Sequence, residues 1–413
     1  MMPPPAPRAL TSLAALALFS CPTPTTPATP FPPEALSDPA AWDDPDFIAA
    51  WEPAQAATPL SLKSWAGTPP ILPFGHRPQL VTARFLGDRI EHISLIYLDA
   101  GLAFGYRGHA AQAAGWPANP EERAHAFDAH HAQLKASLEV NLSAWAGGRR
   151  GDATRLGQSI PLQLLAKIYE NDQLSARLTT ADSQLIKLTL FREPRRARSL
   201  NAPHLAGLSP RERSDLLARQ VRESPNGDVH VAGLPMLPQG ERAYCGVATL
   251  GMVLQLLGLD VESEELAAAS GMRYGHGTPF LRELITAAAA EAGLKANRDT
   301  RFDSRKAIRH LEQGFPVLVF RRYSQERDYL HSQFAARFKD DPDAVLPDPG
   351  PRDRESWPGR DAPAHSSVIT GLNRKRGEVI FTDSWGERVR DRRMTIQELE
   401  STSYYAVYFS FAR

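Results

Sequence analysis

The chain has 413 residues, 42% of them hydrophobic and 23% charged, enough for two ordinary domains with a core in each; this balance excludes a wholly disordered chain, a collagen-like chain and a polytopic membrane protein. Lys+Arg and Asp+Glu both total 47, a formal net charge of +0, which argues against a polyanion binder and therefore against a nucleic-acid partner. The only cysteines are Cys21 and Cys245, too few for a disulfide framework or a paired-cysteine zinc site.

The chain opens with one basic residue, Arg8, and the apolar run Ala9–Phe19. That run is shorter than the roughly 20 residues needed to cross a bilayer and fits the apolar core of a signal peptide. Residues 1–21 are thus expected to direct export, to a periplasm or cell envelope. The string Leu18-Phe19-Ser20-Cys21 resembles a bacterial lipobox, whose cysteine becomes lipidated after signal cleavage, although Phe19 stands where a small or β-branched residue is usual. Cys21 is the candidate for a lipid anchor and hence for membrane attachment; otherwise it is an apolar residue of a discarded leader. Residues 22 to about 40 are rich in Pro and Thr and read as an extended spacer. The rest of 22–78 mixes Trp42, Phe47, Trp51, Trp65 and Phe74 with more proline, the pattern of an irregular segment packed onto the next domain.

Residues 79–200 read as an α+β domain of unassigned role. Leu80–Phe85, Ile93–Leu98 and Leu102–Tyr106 are strand-like, with Asp99-Ala100-Gly101 as a turn. Glu121–Trp145 carries Phe127, Leu134, Leu138 and Leu142 at helical spacing. Its His125, Asp128, His130 and His131 occupy several faces, a solvated surface in preference to a metal site. Gln184–Arg192 alternates as a strand. Residues 201–229, with a short helix from about Pro210, read as an interdomain linker.

The chemistry lies in residues 230–413. From Cys245 to Leu257, apolar residues fall at 247, 250, 253, 254 and 257, and Gly258 stops the helix. Cys245 therefore begins a helix, where aligned peptide dipoles and unpaired N–H groups favour an anion and lower a thiol pKa. Thr278-Pro279 is expected to start a second helix ending at Gly293, and Asp303 or Ser304 a third ending at Gly314; the strand Pro316–Phe320 follows. His276, in a glycine-rich turn, reads as structural. Tyr323–Pro363 is a long polar insertion, expected to form a mobile rim or lid. His365–Gly371 and Glu378–Asp383 read as the two strands of a hairpin, which makes the start of one (His365) a neighbour of the end of the other (Asp383). A carboxylate so placed can orient an imidazole. The charges of Glu387–Arg393 read as a solvated strand edge. Thr395-Ile396-Gln397-Glu398 is a capping box and Tyr404–Phe411 a final strand.

Gln239 six positions before Cys245, a Cys-Gly helix start, a His strand and then an Asp strand together resemble the papain-like cysteine peptidase clan. The nearest likeness is to the bacterial group similar to the leader-processing (double-glycine) peptidase domains of bacteriocin exporters. The resemblance covers residues 230–413 and implies an α+β papain-like domain, N-terminal helices on an antiparallel sheet, preceded by a smaller α+β domain. It implies Cys245 as nucleophile, His365 as base, Asp383 as orienting group and Gln239 as oxyanion-hole donor, with no metal or organic cofactor. The sequence carries neither the transmembrane nor the ATPase part of those exporters, so double-glycine leader cleavage does not carry over, and the plant-papain signature around the cysteine is missing. The expectation is an exported cysteine peptidase acting on a peptide or protein. The alternatives are an acyltransferase or amidase acting on a cell-envelope amide, whose Asp-Cys-Ser start is absent, and an inactive peptide-binding module.

Overall fold

A computed structural model describes residues 33–53, 60–65, 72–105, 115–274 and 280–412. The expected leader with Cys21, most of the Pro/Thr spacer, His276 and the Thr278-Pro279 helix start lie outside the described residues. Among the described residues no helix is long and apolar enough to cross a membrane.

The N-terminal half is built on β1 (Trp51–Pro53), β2 (Leu60–Trp65), β3 (Leu80–Leu86), β4 (Arg89–Asp99), β5 (Asp152–Leu156), β6 (Leu164–Glu170), β7 (Ser175–Ala181) and β8 (Leu185–Phe191). They form one antiparallel sheet in the order β1-β2-β3-β4-β8-β7-β6-β5. Side chains alternate across a strand, and here both faces are covered. Ile186, Leu188 and Leu190 share a core with Phe127, Leu134, Leu138 and Leu142 of the Pro120–Trp145 helix. The opposite face presents Arg84, His92, Arg177 and Lys187, all buried. Segments read as irregular supply β1 and β2. Leu102–Tyr106 was expected to be a strand; instead Ala100–Phe104 is a short helix, begun by Asp99, whose carboxylate accepts from the Gly101 N–H.

The second sheet comprises β9 (Val221–Glu223), β10 (Asp228–Val231), β11 (Leu294–Asp299), β12 (Val317–Arg322), β13 (Ala364–Asn373), β14 (Glu378–Thr382), β15 (Arg392–Thr395) and β16 (Ser403–Phe411). Its order is β11-β16-β12-β13-β10-β9, with β14 on β13 and β15 on β14. The segment read as a linker is part of this sheet: Pro210–Ala218 is helical and β9 pairs with β10 at its edge. A three-residue edge strand can be polar because only one side is paired. The Cys245–Leu257 helix buries Val247, Leu250, Val253, Leu254 and Leu257 in the core with β12 and β13. It ends at Gly258, whose φ of 112° suits glycine alone.

The insertion is anchored. Its neck is closed by the Tyr323 N–H donating to the Pro363 carbonyl at 2.9 Å. Its helix, Gln325–Asp340, is held by Arg327 donating to both oxygens of Glu398 at 3.0 and 2.5 Å, and by His331 Nε2 at 2.9 Å from the same carboxylate. These contacts tie the expected rim or lid to the rest of the domain.

The two sheets meet through charge. Asp260, Glu262 and Glu265, at the start of and just before the Ser263–Ala269 helix, face the polar side of the first sheet. Lys187 lies 2.8 Å from Glu262 and 3.1 Å from Glu265, Arg177 3.4 Å from Glu265, and Arg84 3.8 Å from both Asp260 and Glu262. Removing one partner of a buried pair strands the other without water. Lys187→Met is therefore expected to cost about 3–5 kcal/mol, read as a lower denaturant midpoint at unchanged slope.

Candidate active site

His365 lies at the start of β13, opposite Arg321 of β12. The β13–β14 hairpin pairs Val368 with Thr382, so Asp383 leaves the ladder beside His365. His365 Nε2 is 3.3 Å from Asp383 Oδ1, off the line of a well-formed hydrogen bond. His365 is 5% exposed and Asp383 fully buried. The helix places Cys245 at its first position, and Cys245 and His365 line the same cleft. With Nε2 turned to Asp383, Nδ1 is the ring nitrogen left for the thiol. Thr249 Oγ1, one turn into the helix, lies 2.6 Å from Ser366 Oγ and fixes the helix against β13.

Three charges determine the state of the carboxylate. Burial alone would raise the Asp383 pKa; Arg392, His365 and Arg321 outweigh it and hold the carboxyl far below its ordinary range. Arg392 Nη2 donates to Oδ2, and Arg321 Nη2 donates to the same oxygen at 3.3 Å. Burial would lower the His365 pKa, but Asp383 and Cys245 raise it to about 9. Burial would raise the Cys245 pKa, yet the hydrogen bond and charge of His365, with the backbone N–H groups of Ser366 and Gly246, bring it below the ordinary thiol value. A thiolate–imidazolium pair is the arrangement these shifts favour. Trp385 stacks on the His365 ring at 4.2 Å between centroids and 24° between planes. Tyr323 packs against both rings, 5.8 Å from the imidazole and 5.4 Å from Trp385 between centroids.

Gln239 is buried beside this pair. Its Oε1 accepts from Ser384 Oγ at 2.6 Å, its backbone N–H donates to the Ser384 carbonyl at 2.7 Å, and its Nε2 donates to the Arg242 carbonyl at 3.0 Å. Gln239, Cys245, His365 and Trp385 line one cleft of about 600 Å³, with Asp328 and Tyr329 of the insertion opposite. Gln239, Cys245, His365 and Asp383 therefore converge. Among the described residues no group of three or more His, Cys, Asp or Glu could hold a metal ion. On the long helix, Asp128 accepts from Tyr274 Oη at 2.8 Å and His131 faces the Leu185 carbonyl.

Arg321 and Arg392 were missed by sequence reasoning. The Glu387–Arg393 edge expected in solvent is buried at its end: Arg392 has no exposed surface, and Arg393 bonds Asp228 at 2.5 Å and Glu378 at 3.0 Å. The signal available was register, since a hairpin from β14 to β15 puts Arg392 opposite Phe381, next to Asp383.

Residues 231–411 match the family model described as the Peptidase_C39 like family. This is the part of the chain that carries the cleft. Among solved structures, the chain is similar to the peptidase domain of Streptococcus ComA, described as a bi-functional ABC transporter involved in a quorum-sensing pathway. That likeness has 17% identity and a TM-score of 0.28, over 43% of this chain and 98% of that one. Comparison with curated proteins finds no match.

The shifts set a pH window. Thiolate is present above the lowered Cys245 pKa and lost below it; imidazolium is present below about pH 9 and lost above it. Alkylation of Cys245 by iodoacetamide is expected to be fast already at about pH 6–7, where an ordinary thiol is mostly protonated. In His365→Ala the alkylation profile should move back to higher pH.

Proposed function

We propose that this protein is a cysteine peptidase, its peptidase domain built on the second sheet behind an α+β unit built on the first. The observation that carries the reading is that Cys245 and His365 line one open cleft, with Asp383 buried behind the imidazole 3.3 Å from its Nε2. A peptide carbonyl entering there meets the Cys245 thiolate, which adds to carbon and gives a tetrahedral oxyanion. The Cys245 backbone N–H and the Gln239 amide stabilise that oxyanion. Gln239 Nε2 carries two N–H bonds, and donation to the Arg242 carbonyl uses one of them. His365 passes its proton to the leaving amine, which departs as the thioester forms. It then takes a proton from the water that releases the acid and regenerates the thiolate. Asp383 keeps the ring turned with Nδ1 toward sulfur. No step calls on a metal or organic cofactor.

Export belongs to the same proposal. The Ala9–Phe19 run, the Leu18–Cys21 string and the Pro/Thr spacer behind it support a mature enzyme held at a cell envelope by a lipid on Cys21. Mass spectrometry of the mature N-terminus is expected to find an acylated Cys21; an unacylated N-terminus beyond it would reject the anchor and leave export standing.

A peptide-library cleavage profile, run beside Cys245→Ala, tests the activity. Cys245→Ala should abolish turnover. Gln239→Ala should lower kcat roughly 10²–10³-fold with alkylation unchanged, because it acts on the oxyanion and not on the thiol. Asp383→Asn should lower turnover by ~10–10⁴-fold, the upper end being the serine-protease analogue. A parent enzyme that cleaves nothing and leaves Cys245 unlabelled by thiol-reactive active-site probes would make the domain a peptide-binding module.

A further inference from the structure

The cleft is lined wholly by residues between 239 and 385, yet the loop that forms one of its walls, Gln239–Tyr244, is held from behind by the other sheet. Tyr244, the residue before Cys245, is fully buried and points away from the cleft into a socket at the end of β4. Its hydroxyl donates to Asp99 Oδ1 at 2.5 Å, and it accepts from Gln184 Nε2 at 2.7 Å and the Gly101 N–H at 3.2 Å. The socket exists because residue 101 has no side chain. A Cβ there would lie 2.4 Å from Tyr244 Cζ.

The second oxygen of Asp99 reaches the same loop. Arg242 Nη1 donates to Oδ2 at 3.1 Å and also to Glu264. The rest of that guanidinium organises the loop around Gln239: Nε donates to the Gln239 carbonyl at 2.8 Å and Nη2 to the Pro238 carbonyl at 2.8 Å. The Arg242 carbonyl in turn accepts from Gln239 Nε2 at 3.0 Å. One buried carboxylate thus fixes the residue next to the nucleophile through one oxygen and the residue that aims Gln239 through the other.

We infer that Asp99, from the N-terminal sheet, is a positioning residue for the oxyanion-stabilising loop, so that the N-terminal unit completes the active site without entering the cleft. The inference rests on the peptidase reading above. Asp99 touches neither substrate nor sulfur; it acts through Arg242 and Tyr244. Its loss should therefore weaken stabilisation of the tetrahedral state and leave both substrate binding and the Cys245–His365 pair as they were.

The experiment is a double-mutant cycle in the full chain, on a peptide selected by library cleavage. Asp99→Asn keeps the shape of the side chain but turns an amide or a neutral oxygen toward Arg242. It is expected to lower kcat ~10–10²-fold at unchanged KM, with the pH profile of Cys245 alkylation unmoved. Gln239→Ala, worth roughly 10²–10³-fold in the parent, should cost much less in the Asp99→Asn background, because the amide it removes is already misplaced. Should Asp99→Asn not fold, Tyr244→Phe, which keeps the ring in the socket and removes only its hydroxyl, should show the same coupling to Gln239→Ala. Parent-like turnover in Asp99→Asn, or full additivity with Gln239→Ala, would overturn this inference alone. Ordinary thiol behaviour of Cys245 in the parent would overturn the peptidase reading, and this inference with it.

Discussion

Asp383 has no exposed surface, and a carboxylate in that position is tolerated only where other charges replace its water. Here three do. Arg392 and Arg321 take one oxygen, and the imidazole of His365 faces the other. The same two guanidiniums lie near a second carboxylate, Asp328 of the insertion. Arg392 Nη1 is 2.6 Å from Asp328 Oδ1, and Arg321 is 4.0 Å from it. The set balances as two arginines against two aspartates. This leaves the additional proton shared by Cys245 and His365 to be placed by local geometry, not by an excess of either sign. The cleft wall and the imidazole are consequently tied to the same buried side chain, and neither can shift far without exposing an unpaired charge in the other.

The contact between the sheets follows the same rule on a larger scale. The first sheet spends one face on the Pro120–Trp145 helix and presents buried arginine, lysine and histidine on the other. The second supplies the acidic stretch Asp260–Glu265. Such an interface is a weak source of net stability, because desolvation cancels much of the attraction. Its consequence is specificity: a shifted register would leave several buried charges without partners. Asp99 and Arg242 add one more buried charge pair between the two halves, beside the loop that precedes Cys245.

What the sequence made legible was whatever depends on local period. The helix from Cys245 follows from apolar residues three and four apart and a terminal glycine, and the His365 and Asp383 strands follow from a polar turn between two apolar runs. The hairpin reading sufficed to bring the imidazole and the carboxylate together; the thiol joined them through the family resemblance. What stayed hidden depends on which surface a polar row meets. Alternation in β8 shows that Lys187 and Thr189 share a face, but not that a second sheet covers it. Arg392 and Arg393 look like a solvated edge for the same reason. Polar β5 and β9 are strands because neighbouring backbones are there to pair with them, and a helix over Ala100–Phe104, capped by Asp99, stands where the sequence suggested a turn and the start of a strand.

The central claim is that His365 carries a proton that Asp383 and Cys245 jointly hold. Nitrogen NMR of the His365 ring, followed across a pH titration of the intact protein, reads this directly. The imidazolium signature is expected to persist through about pH 7, where a free histidine is largely neutral, and to disappear near pH 9. In Cys245→Ala the transition should fall to lower pH, because the thiolate's share of the stabilisation is gone. A ring already neutral at about pH 7 in the parent, with a titration unmoved by Cys245→Ala, would contradict the ion pair on which the account depends.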